Sequence, residues 1–81
     1  MKIRVRAFAS VREMCGFDEK ELTVSSGITV RDILTQLKSN YRPLERLDGS
    51  LLFAVNETYC PDSTPLADED VLAIFPPVSG G

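Results

Sequence analysis

Pro76, Pro77, Val78, Ser79, Gly80 and Gly81 follow directly on the apolar string Val71 to Phe75, and this order of residue types suits chemistry at a chain end. Adjacent prolines hold φ near −65° and donate no hydrogen bond, so the chain is expected to leave any sheet at Pro76 in an extended course. At roughly 3.1 Å per residue, a tail over 76–81 reaches about 19 Å from the folded body. Gly80 and Gly81 carry no Cβ, so they fit a narrow slot and adopt backbone angles closed to other residues. The reading is of a tail that threads another protein and presents the Gly81 carboxylate there.

The remaining residues exclude most other chemistry. Histidine is absent, which removes Ser-His and Cys-His nucleophile pairs and imidazole metal sites, so the chain is not expected to be an enzyme by itself or to hold a metal. Cys15 and Cys60 lie far apart in sequence, without a CxxC spacing; they could pair as a disulfide, but in a reducing cytosol they read as small apolar packing residues. A net charge of −3 argues against nucleic acid and anionic membrane as partners. No apolar run reaches the roughly 18 residues of a membrane span, and the chain opens on a strand pattern instead of a signal peptide, so a cytoplasmic location is expected.

The elements that must carry the tail are legible as alternation and helical spacing. With 81 residues, 43% of them hydrophobic and 26% charged, the chain suits one small domain, 1–81, in which a sheet packs on a single main helix. Ile3, Val5 and Ala7 alternate with Lys2, Arg4 and Arg6, the period of a half-buried strand. Phe8 falls in the charged phase, so either the strand stops there or the ring sits on the wet face. Ala9 to Met14 suits a short helical turn that Gly16 ends, and Glu19 to Val24 resumes the alternation as a return strand.

The main helix begins at Thr29, which caps it with Asp32 three residues on, and Val30, Ile33, Leu34 and Leu37 line one stripe. Each buried aliphatic in the stripe contributes about 1.5–3 kcal/mol, against about 1 kcal/mol for the cap, so packing decides this helix. Asn40 suits a left-handed position after it, and Pro43 opposes its resumption. Asp48 and Gly49 mark a turn before a strand over Leu51 to Val55; a turn and brief edge strand follow over Asn56 to Tyr59, then a loop over Pro61 to Pro65. Asp68, Glu69 and Asp70 suit a solvated turn before the last strand, Val71 to Phe75. In that strand Leu72 and Ile74 face the core and Phe75 shares the other phase. The sum, ββαβ with short additions, is an α+β roll.

With these pieces placed, the chain resembles the small-subunit family of molybdopterin synthase, ubiquitin-like sulfur carriers with a β-grasp fold. The resemblance covers nearly the whole chain. It is carried by Phe8, Ala9, Val11, Arg12 and Glu13; by Ala54, Val55 and Asn56; by Pro65, Leu66 and Asp68; and above all by the terminal FPPVSGG. A bare Gly-Gly also fits ubiquitin-like modifiers and the thiamine-pathway carrier, whereas Pro-Pro-Val before Ser-Gly-Gly points to the molybdenum-cofactor branch. Glu69 departs from the glycine that relatives often carry between two acidic residues, so the turn there is expected to differ locally.

The resemblance implies that a ubiquitin-activating-type partner uses ATP to adenylate Gly81, that a sulfur donor protein converts it to a thiocarboxylate, and that this sulfur passes to a pterin precursor on the large synthase subunit. The chain itself binds no cofactor in this scheme, and the family forms a heterotetramer of two small and two large subunits. Gly81 becomes the sulfur-bearing residue and Gly80 its slender neighbour. Pro76, Pro77, Val78 and Ser79 become the threaded segment, and Phe8, Tyr59 and Phe75 an apolar docking surface. Arg12 is either a solvated charge or a pairing group for an acidic partner, and the Lys2, Arg4, Arg6 row is read as the wet face of a strand. The competing role is a protein modifier joined to lysines through Gly81.

Overall fold

A computed structural model describes residues 1–47 and 49–77. In chain order the elements are β1 (Lys2–Ala7), α1 (Ala9–Cys15), β2 (Glu19–Thr23), α2 (Val30–Asn40), a 3-10 turn (Arg42–Leu47), β3 (Leu52–Val55), β4 (Thr58–Cys60) and β5 (Val71–Phe75). The strands form one mixed sheet in the order β2-β1-β5-β3-β4 over one main helix, the fold that the β-grasp resemblance implied. β1 pairs antiparallel with β2 and parallel with β5, so the first and last strands lie side by side at the sheet's middle.

Alternation divides the sheet into two faces. Ile3, Val5, Ala7, Leu72, Ile74 and Phe53 point inward and pack with Val30, Ile33, Leu34 and Leu37 of α2 in one continuous core. The predicted stripe is buried throughout, from Val30 at 0% to Leu37 at 3% exposure. Thr29 and Asp32 form the reciprocal capping box: the Thr29 hydroxyl accepts from the Asp32 N–H, and the Thr29 N–H donates to Asp32 Oδ2 at 2.9 Å. The segment before β5 then clamps the same helix end. The Val30 N–H donates to the Thr64 carbonyl, the Arg31 N–H to the Asp62 carbonyl, and Arg31 Nε to Asp62 Oδ2 at 2.8 Å.

Two local expectations, at Asn40 and Glu69, are corrected, and the one at Pro43 is extended. Asn40 is the last residue of α2 instead of a left-handed cap; Tyr41 follows at φ −131°, and its N–H donates to the Leu37 carbonyl. The ring of Tyr41 packs against the core and meets Phe17, which holds this exit without glycine-like geometry. The chain does not merely fail to resume a helix at Pro43: it makes a 3-10 turn that buries Leu44. Glu69 keeps the left-handed conformation that favours glycine, at φ 71°. The Asp70 N–H donates to the Ala67 carbonyl and closes a four-residue turn whose third position wants positive φ, so Glu69 adopts the geometry despite its Cβ.

Candidate functional site

The sheet's other face carries the residues singled out for docking. Register places Glu19, Arg6, Ala73, Ala54 and Tyr59 in one row from edge to edge, with Leu52 paired to Phe75 beside it. The row changes character along its length. On the β1–β2 side it is ionic: Lys2 meets Glu21 at 3.8 Å, and Glu19 is shared by Arg4 at 3.8 Å and Arg6 at 3.6 Å. On the β5–β3–β4 side it is apolar, floored by Ala73 and Ala54 and walled by aromatic rings.

Phe75 is the centre of those rings. Its ring stacks on Phe8 with centroids 4.7 Å apart and planes 15° from parallel, and meets Tyr59 at 5.9 Å with a 46° tilt. Offset and tilted pairs of this kind contribute about 0.5–1.5 kcal/mol beyond the area they bury. Phe8 and Phe75 are consequently half-buried against each other, while Tyr59 remains 69% exposed. Ala54 is only 4% exposed yet stands outside the core cluster, because its side chain lies on this open face among larger neighbours.

Phe8 reaches this position through the backbone that follows it. β1 ends at Ala7, Phe8 is the N-cap of α1 without a side-chain cap bond, and its carbonyl accepts from the Val11 N–H at 3.1 Å. Ala9 then takes φ 50°, a left-handed angle that costs an alanine about 1 kcal/mol. The Phe8 N–H donates to the Ile74 carbonyl, which ties this corner to β5 one residue before Phe75. Both alternatives read from the strand phase therefore hold: the strand stops before Phe8 and the ring sits on the open face.

Two members of this surface escaped the sequence reading. Arg6 was placed with a wet strand row, but its guanidinium also lies 5.5 Å from the Phe8 ring centroid, so it borders both halves of the face. The two-residue spacing from Arg6 to Phe8 was the available signal. Leu52 is 39% exposed and extends the patch from Phe75. Its phase was hidden inside the apolar run Leu51 to Val55, where every position looks buried.

Arg12 does not line the trough. It sits on α1 with Nη1 3.3 Å from Asp18 Oδ1 and stays half exposed, so its charge has a partner within the chain. Pro76 is half-buried and Pro77 exposed just past the last ladder pair. Val78, Ser79, Gly80 and Gly81 lie outside the described residues. Cys15 is buried, and burial pushes its thiol above the ordinary value of 9.0 against the opposing pull of Lys20. Cys60 is partly buried at the end of β4. Among the described residues there is no cluster of three or more acidic, cysteine or histidine side chains able to hold a metal, and no helix long and apolar enough to cross a membrane.

A mixed five-stranded sheet wrapped over one main helix, with its outer strands of sequence paired in parallel at the middle, makes this a ubiquitin-like β-grasp protein. The profile of the ThiS family matches residues 5–81, and the chain belongs to that family. It is 42% identical over 82 residues to the molybdopterin synthase sulfur carrier subunit of Escherichia coli (strain K12), covering 98% of this chain and 99% of that protein. Among solved structures, the putative molybdopterin converting factor, subunit 1, from Pyrococcus furiosus superposes with a TM-score of 0.84 at 31% identity, over 96% of this chain and 99% of that one. SAMP1 from Haloferax volcanii superposes with a TM-score of 0.83 at 30% identity over the whole of both chains.

Proposed function

We propose that this chain is the sulfur carrier subunit of a molybdopterin synthase, working as a reagent held by other proteins. The observation that carries the reading is the position of Phe75. It is the last residue of the sheet ladder, its ring lies on the open face between Phe8 and Tyr59, and the chain passes from it straight into Pro76 and Pro77. A partner gripping this face therefore holds the root of the tail. Family membership and the full-length likeness to a protein named as a molybdopterin synthase sulfur carrier subunit support the same role.

The chemistry follows from what a glycine carboxylate can and cannot do. As an anion it resists nucleophilic attack, so an adenylating partner joins it to the α-phosphorus of ATP and releases pyrophosphate, leaving an acyl-adenylate with a good leaving group. The terminal persulfide sulfur of a donor protein then attacks the carbonyl carbon and AMP departs; a thiol cleaves the resulting acyl disulfide, leaving a thiocarboxylate on Gly81 and a disulfide on the donor side. Its soft anionic sulfur attacks carbon readily. On the large synthase subunit it bonds to a carbon of a pterin precursor, water cleaves the acyl–sulfur bond and returns the Gly81 carboxylate, and two rounds of loading furnish the two sulfurs of the dithiolene. Gly80 lets the end enter each active site, and Pro76, Pro77, Val78 and Ser79 set its reach. Neither thiol of the chain is freely exposed, which suits sulfur arriving from outside. The catalytic side chains belong to the partners, and ATP is bound by the activating one.

Intact-mass measurement of the protein from its native host tests this. The expected species carries sulfur in place of one terminal oxygen, and deletion of Gly81 or addition of one residue after it abolishes molybdopterin formation. A second reading, a modifier joined to other proteins through Gly81, has specific support in the likeness to a protein named small archaeal modifier protein 1. It predicts a different mass result, in which the chain appears fused to target proteins, and fusion without any thiocarboxylate species would replace the carrier reading.

A further inference from the structure

The trough between the rings has one charged wall, Glu57, without an ion pair among the described residues. A groove of about 470 Å³ on the open face is lined by Ala54, Ala73, Phe8, Tyr59, Phe75 and Glu57. Arg6, at the other side, is already committed: Glu19 stands 3.6 Å from it and its guanidinium lies over Phe8. The carboxylate of Asp70 is likewise engaged, accepting from Asn56 Nδ2 at 2.8 Å and from the Ala67 N–H at 2.7 Å. Glu57 has no ion pair among the described residues and its side chain is exposed.

The backbone beneath Glu57 makes its presence informative. β3 and β4 are joined by the two residues Asn56 and Glu57, with Val55 paired to Thr58 across them, and both take positive φ, 50° and 72°. A two-residue hairpin of this kind favours Asn-Gly, so asparagine fits and glutamate is strained in the place glycine would fill. Asn56 is fixed there by its own contacts, its Oδ1 accepting from the Val71 N–H at 3.0 Å. The Glu57 side chain thus lines the groove from a backbone position that favours glycine.

The geometry points to this groove as a socket for one lysine or arginine side chain of the large-subunit partner: its aliphatic stem lies over Ala54 and Ala73 and its charge meets the Glu57 carboxylate beside the aromatic faces. An aromatic wall and a carboxylate both attract a cation, and an alanine floor leaves room for a stem. This inference rests on the docking role proposed above for the open face.

Calorimetric titration of the full chain with the large synthase subunit tests both levels separately. Glu57→Gln is expected to weaken binding about fivefold and Glu57→Lys about thirtyfold, with part of the salt dependence between about 50 and about 300 mM lost in each. Glu57→Gly is expected to weaken binding like Glu57→Gln while melting about 4 °C higher, since the left-handed strain is relieved. A merely structural glutamate cannot give those two changes with opposite signs. Tight binding by the parent chain with Glu57→Lys unchanged overturns the socket and leaves the carrier role standing. Failure of the parent chain to bind the large subunit overturns the docking role and the socket with it.

Discussion

At the scale of single residues, Phe75 serves the sheet with its backbone and the open face with its ring. Its backbone completes the ladder against Leu52 while its ring leaves the core side to Ile74 and joins Phe8 outside. Strain marks the other informative residues. Glu69 sits at φ 71° in a turn held by the Lys2 N–H donating to Asp68 Oδ1 and by its own N–H donating to the Lys2 carbonyl. Glu69→Gly is expected to stabilise the protein by about 1 kcal/mol, read as a raised urea midpoint at unchanged slope. The thiols differ in the opposite way from their symmetrical look in the sequence. Because burial holds Cys15 protonated, an alkylating reagent at mildly alkaline pH is expected to label Cys60 first, with peptide mass mapping as the check. The same shift has a sign for stability: the unfolded thiol ionises before the folded one, so this contribution is intact below the ordinary value and declines as pH rises above it.

Among the elements, α2 buries Val30, Ile33, Leu34 and Leu37 in the core. Leu34→Ala at a site 1% exposed is expected to cost about 2–5 kcal/mol, whereas Thr29→Ala, which removes one half of the capping box, costs about 1 kcal/mol; denaturant melts of the two variants test the ranking. These two features were also the plainest in the sequence, since a four-residue stripe and a Thr-Asp cap are local signals. β1 and β5 were legible for the same reason, as alternations: Ile3, Val5 and Ala7 against Lys2, Arg4 and Arg6, and Leu72 and Ile74 against Val71, Ala73 and Phe75. What escaped depends on neighbours distant in sequence. The 3-10 turn over Arg42–Leu47 exists because Leu44 finds a buried place against the core, and the α2 exit needs no glycine because Tyr41 packs where it stands. In the open face, Phe8 and Phe75 were visible from strand phase alone. Arg6 needed knowledge that Phe8 turns back over it, and Leu52 needed the pairing with Phe75.

The whole molecule is asymmetric: one sheet face is sealed by α2, and the other is half ionic, half apolar. Among the described residues the only large hydrophobic side chains more than about a third exposed are Leu52 and Tyr59, both bordering the apolar half. Tyr59→Ala is expected to change stability by less than about 1 kcal/mol, because the side chain is largely in water, yet to weaken binding to the large subunit by about thirtyfold, as measured by titration. Such a separation of folding from docking is what a surface anchor gives. The same asymmetry governs traffic under the proposed role. If the adenylating enzyme and the synthase both grip the apolar patch beside the tail, the carrier is held by one or the other, never by both, and each molecule must be let go between charging and delivery. Overproducing either holder then starves the other, and the supply of finished pterin falls when the balance between them is lost, even with every catalyst intact.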